Sequence, residues 1–131
     1  MNDEDHTTRE PQGEEIARRI AQTSDAAALL VRENEQAYGE IIWAALLAQV
    51  ADWHVDAQRH GTAEASAASD RAVAALEKSF VDGDETTRTI IATGFLEMLP
   101  TAGDGRDVVQ RLPVALREEL ARIEAWKPTA G

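Results

Sequence analysis

Apolar residues recur along this chain every three or four positions, and no window alternates apolar and polar residues as a strand does. The clearest run is Trp43, Leu46, Val50, Trp53 and Ala57, spaced 3, 4, 3 and 4, which places all five on one face of an α-helix. Ile42 and Leu47 widen that arc, so this helix is expected at the centre of the fold. Before it, Ile16 and Ile20 mark a first helix starting at Glu14, and Ala28, Val31 and Tyr38 mark a second. Thr23-Ser24-Asp25 separates the two, with Ser24 as N-cap, and Gly39 ends the second.

Beyond the central helix, Gly61 is a stop and Thr62 caps a fourth helix whose second half carries Val73, Leu76 and Phe80. Gly83 closes that helix and Asp84 caps a fifth, in which Ile91, Phe95 and Met98 or Leu99 share a face as far as Pro100. Gly94 within it costs about 1 kcal/mol relative to alanine, which points to close helix packing. Thr101-Ala102-Gly103-Asp104-Gly105 reads as a loop and Arg106–Arg111 as a short helix. Pro113 suits the first turn of a last helix, with Leu116, Leu120, Ile123 and Trp126 inward and Glu118 paired with Arg122 outward; Pro128 ends it.

The expected fold is all-α: five to six helices in antiparallel pairs, one compact domain over 14–128, with the fourth and fifth helices resembling a pair from an α-solenoid. Residues 1–13 carry no apolar period and read as a disordered acidic tail. The expected core is Trp43, Leu46, Val50, Trp53, Leu76, Phe80, Ile91, Phe95, Leu116, Leu120 and Trp126.

Composition agrees with helices: 24 of the 131 residues are alanine, the strongest helix former. The 24 acids against 13 bases give a net charge of −11, which argues against a generic nucleic-acid binder, since such proteins need a basic face. That charge leaves room for a protein that imitates nucleic acid or covers a basic partner. The absence of cysteine excludes a disulfide scaffold, a zinc–thiolate site and a thiol nucleophile. The longest uncharged stretch, Ile41 to Ala51, is too short to cross a bilayer, and the acidic start of the chain lacks the apolar segment of a signal peptide, so a cytoplasmic location is expected.

Few residues carry a chemical pattern. Asp52, Asp56 and His60, spaced 4 and 4, fall on one side of the central helix and are a candidate metal site of a helical metal-dependent enzyme. A solvated helix flank, with Asp56 and His60 as an ordinary i,i+4 pair, explains them better, and no E-x-x-H motif completes a two-metal bundle. His54, next to Trp53, fits a core margin better than a ligand. Asp82-Gly83-Asp84-Glu85 lacks calcium-loop spacing, Gly103-Asp104-Gly105 is too short for a phosphate loop, and there is no G-x-S-x-G elbow. No cofactor is implied. Glu97 sits in an apolar run but off its stripe, which places it on the wet side. The acids are the remaining signal: Glu33, Glu35, Tyr38 and Glu40 at the end of the second helix, with Asp52 and Asp56 on the third, make a candidate surface for a basic protein.

Four stretches carry a resemblance: Tyr38-Gly39-Glu40 leading into the Ile42–Trp53 helix, Ala75 to Phe80, the Asp82–Glu85 break, and Thr93-Gly94-Phe95-Leu96-Glu97-Met98-Leu99-Pro100. With Leu112-Pro113-x-x-Leu116-Arg117, they resemble a family of small, uncharacterised all-helical bacterial proteins over residues 26 to 126. Similar proteins look like immunity proteins encoded beside toxins. The resemblance brings no activity and no catalytic residue to carry over; taken with the acidic surface, it leads to the expectation of a non-enzymatic immunity protein that neutralises a basic toxin by covering its active site. The alternatives are a DNA mimic or adaptor in a basic nucleic-acid groove, and the metal-dependent enzyme at Asp52, Asp56 and His60.

Overall fold

A computed structural model describes residues 11–100 and 106–126 of the chain. These residues form seven α-helices: α1 (Pro11–Ala21), α2 (Asp25–Tyr38), α3 (Trp43–His60), α4 (Ala63–Asp82), α5 (Glu85–Gly94), α6 (Arg106–Gln110) and α7 (Val114–Trp126). A 3-10 turn, Leu96–Met98, follows α5, and no strand occurs among the described residues. The all-α class is therefore as expected, and the count of five to six helices is low. Arg106–Gln110 forms the expected short helix, but five residues hold barely one apolar repeat.

The caps explain the boundaries. Ser24, Thr62 and Asp84 each stand in extended backbone and accept a hydrogen bond from the amide three residues on, at 3.1, 3.1 and 2.9 Å. Gly39 ends α2 in the left-handed conformation, at φ 76°, which a side chain would disfavour. The first helix begins at Pro11 rather than Glu14, because proline without its N–H is well placed in an opening turn. The fifth helix stops at Gly94, short of Pro100: the Phe95 N–H makes the last helical bond, to the Ile91 carbonyl, and the Phe95 carbonyl accepts from Met98 as the chain tightens into the 3-10 turn. That turn buries Leu96 and Leu99 and leaves Met98 half exposed, so Leu99 is the core residue of the expected pair.

Helix α3 is central, as its pattern indicated. It packs against α1, α2, α4, α5, α6 and the 3-10 turn, and it buries Leu46, Leu47, Val50, Ala51 and Ala57. Contacts of α1 with α4 and α5 close the helices around this core. A solenoid would confine each repeat to its neighbours, so the solenoid expectation is corrected. Leu46, Val50, Leu76, Ile91, Phe95, Leu116 and Leu120 are buried, while Trp43, Trp53 and Phe80 are half-buried against the core. The Trp126 side chain, the acidic residues 1–10, the 101–105 loop and Pro128 lie outside the described residues.

Two glycines let Trp43 into the bundle. A Cβ on Gly13 of α1 would sit 2.8 Å from Trp43 Cδ1, and one on Gly94 of α5 would sit 2.9 Å from Leu47 Cδ1 and 3.3 Å from Trp43 Cζ3. The close packing expected at Gly94 is thus present, and Gly13 is its counterpart on α1.

Helix α2 faces inward differently from expectation. Its buried residues are Ala27, Val31 and Asn34, and Tyr38 is 54% exposed. Asn34 turns inward because its amide stands in for a backbone partner: Oδ1 accepts from the Ile42 N–H at 2.8 Å, and Nδ2 donates to the Ile42 carbonyl at 3.3 Å. That pair fastens the α2–α3 turn. Helix α7 is capped from a distance, by Glu77 of α4, whose Oε2 accepts from the Ala115 N–H at 3.1 Å. On its surface Arg122 pairs with Glu119 at 2.8 Å rather than forming the expected pair with Glu118.

Replacing Asn34 with alanine leaves both Ile42 backbone groups without this partner and should cost about 2–3 kcal/mol in urea unfolding. Gly13→Ala raises intrinsic helix propensity, yet it should destabilise by about 1–3 kcal/mol because the new methyl meets the indole of Trp43. A gain in melting temperature would show that the indole can yield.

Candidate functional site

The exposed acids group by helix geometry. Glu35 and Glu40 line a cleft of about 370 Å³ between α1 and the α2–α3 turn, together with Glu14 and Arg18. Ala21, Val31 and Ile41 supply its apolar lining. Tyr38 is exposed at the same end of α2, and Glu33 is exposed one turn earlier; neither lines the cleft. Asp52 and Asp56 lie 9 and 13 residues beyond Trp43, about 14 and 20 Å along the α3 axis. They border a second depression with Val55, Arg59, His60, Met98 and Pro100. The six expected contact residues therefore fall into two groups, one of which includes an acid, Glu14, that periodicity alone assigned no role.

The metal expectation fails on geometry. Asp52, Asp56 and His60 are all exposed, and no group of three or more His, Cys, Asp or Glu among the described residues is placed to hold a metal ion. Three residues on one helix flank converge on a metal only if a second element brings a further ligand. Here the facing element offers Met98 and Pro100.

The interior holds one side-chain arrangement with a catalytic outline. His54 Nδ1 lies 3.0 Å from Ser69 Oγ, a serine–imidazole pair that no sequence spacing announced. Ser69 Oγ donates to the Ser66 carbonyl at 3.0 Å. With its one proton so engaged, it accepts from His54 Nδ1–H. Gln58 Nε2 reaches the same cluster, at 2.9 Å from Ser66 Oγ and 3.0 Å from Asp70 Oδ1. Ser69 is fully buried and His54 is 4% exposed, so no substrate can reach the hydroxyl. The cluster joins α3 to α4. The expectation that His54 packs at a core margin understated its burial.

Burial pushes the His54 imidazole below its ordinary pKa, and Arg111 on the α6–α7 connection adds to the effect while Asp70 opposes it. Glu97 is exposed, as expected. Charge is uneven along the fold: α6 and α7, with the residues between them, carry four acids and four bases, so the described surplus of acids belongs to residues 11–100. No described helix is long and apolar enough to cross a membrane.

Comparisons with protein-family models, with curated proteins and with solved structures found no match.

The His54 shift gives stability a definite pH dependence. The folded imidazole stays neutral where the unfolded one, near pKa 6.5, takes up a proton. The unfolded state then binds more protons, so this contribution is complete above about pH 6.5 and is lost as pH falls from there through the lower pKa of the folded imidazole. Melting temperatures of the wild type should drop between pH 7.5 and 5.5 by more than those of His54→Asn, which keeps a nitrogen near the Nδ1 position. Equal drops would remove His54 as the source.

Proposed function

We propose that this protein is a non-enzymatic, acidic binding module that inhibits a basic partner by covering it, in the manner of an immunity protein against a toxin. The observation that carries the reading is the cleft at the α2–α3 corner. Three carboxylates, Glu14, Glu35 and Glu40, surround an apolar lining beside the exposed ring of Tyr38. Carboxylates around apolar surface suit the long basic side chains of a partner, whose stems bury while their charges pair at the rim. An aromatic at the edge is the residue type enriched at binding hot spots.

The chain's net charge of −11 supports the same reading through kinetics. A cationic partner is drawn in by long-range attraction, and association rates rise by one to three orders of magnitude at low salt. Glu33, Asp52 and Asp56 contribute to that attraction from outside the cleft. In this reading the buried polar side chains have structural work: Asn34 holds a turn, and His54 with Ser69 joins two helices.

The test begins with capture of a basic partner from the source organism at low salt and its identification by mass spectrometry. Association kinetics then compare the wild type with Glu35→Lys/Glu40→Lys. The double reversal should slow association about tenfold or more and flatten its salt dependence. Unchanged kinetics would place the contact elsewhere on the molecule.

A further inference from the structure

A different face carries a second cleft, of about 360 Å³, between α1 and the α4–α5 corner. Its volume is in the range of small-ligand sites. Ser79 lines it, and this residue is unusual. It is 5% exposed, yet its hydroxyl makes no hydrogen bond among the described residues, although no fully buried polar atom there lacks a partner. The hydroxyl therefore keeps a small accessible surface, and Ser79 is one of the residues that line the cleft.

The neighbouring groups are acceptors with capacity left. Asp82 accepts from Lys78 through Oδ2 at 3.0 Å, which leaves Oδ1 open among the described residues. Gln12 donates through Nε2 to Asp84 at 3.2 Å, which leaves its carbonyl oxygen open. Arg19, the one cation among the described residues of the lining, gives its Nε to Glu15 at 3.0 Å. Ile16 adds apolar surface along the same cleft.

We propose that this cleft binds a primary alkylammonium group, its head held by Ser79, Asp82 and the Gln12 carbonyl and its aliphatic stem lying against Ile16. Three single acceptor oxygens on three residues match the three rotatable donors of an ammonium. A guanidinium fork prefers two oxygens of one carboxylate, and Lys78 occupies one of Asp82's two. An anion would meet two carboxylates, Asp82 and Glu15, against the single cation Arg19. The group can come from a free alkylamine or from a lysine side chain of a protein. This site is independent of the α2–α3 corner.

The experiment titrates the intact protein with pentylamine, with pentan-1-ol as the uncharged analogue and with a capped peptide containing one lysine. Binding is followed by calorimetry and by amide NMR shifts around Ser79. Pentylammonium should saturate the cleft and pentan-1-ol should not. Asp82→Asn should weaken binding about tenfold, and Ser79→Ala about threefold or more, with circular dichroism verifying the fold of each. Glu35→Lys/Glu40→Lys should leave the affinity unchanged, which separates failure here from failure of the partner-binding reading. Binding of the amine but not of the peptide assigns the site to free amines, and peptide binding of equal or greater strength assigns it to a lysine of a partner. No saturable binding by either ligand, or binding indifferent to both substitutions, overturns the proposal.

Discussion

Trp43 stands at the start of the central helix with its indole against two backbones, α1 at Gly13 and α5 at Gly94. At Gly13 the ring leaves no space for a β-carbon; at Gly94 the nearer obstacle is Leu47 Cδ1 at 2.9 Å with the ring at 3.3 Å, so Trp43 and Leu47 together set how near α1 and α5 come to α3. Leu47, one turn on, fills the remaining gap beside Gly94 and is fully buried. Interiors pack at crystal density, and a contact of this kind fixes spacing more firmly than a general hydrophobic preference does. Everything that closes the bundle, including the contacts of α1 with α4 and α5, is compatible with that spacing.

Around this apolar centre, a few polar side chains make hydrogen bonds across turns and between helices. Asn34 meets both backbone groups of Ile42 across a turn, and Glu77 meets an amide at the start of α7. Ser69 bridges His54 and the Ser66 carbonyl. Each answers the same constraint, since a buried donor or acceptor without a partner costs as much as several good contacts return. A serine–histidine pair here is thus a packing solution and not a reactive centre.

The helix boundaries were readable in the sequence because caps are local: Ser24, Thr62 and Asp84 each reach an amide three residues away. The face of α3 was readable because five residues repeat at helical spacing. The face of α2 was not, because its inward residue at the turn is Asn34, which an apolar count passes over in favour of Tyr38. The end of α5 was obscured by residues that stay apolar through the 3-10 turn, where the period changes from 3.6 to 3. At the candidate surface, the grouping of Glu35 with Glu40 follows from one turn, but Glu14 joins them only through the packing of α1. The pairing of Ser79 with Asp82 and Gln12 around one cleft is likewise a tertiary fact, since Gln12 lies on another helix.

The long-range cap on α7 bears on the order in which the molecule assembles. Thirteen residues are marginal for an isolated helix in water, because the first turn is costly to nucleate. The carboxylate that receives an opening amide of α7 belongs to α4, so this turn gains that stabilisation only against an α4 already formed. The nucleation of α7 is thus coupled to its docking on α4. The last helix behaves as a latch on a bundle in which α2, α4 and α5 carry their own side-chain caps.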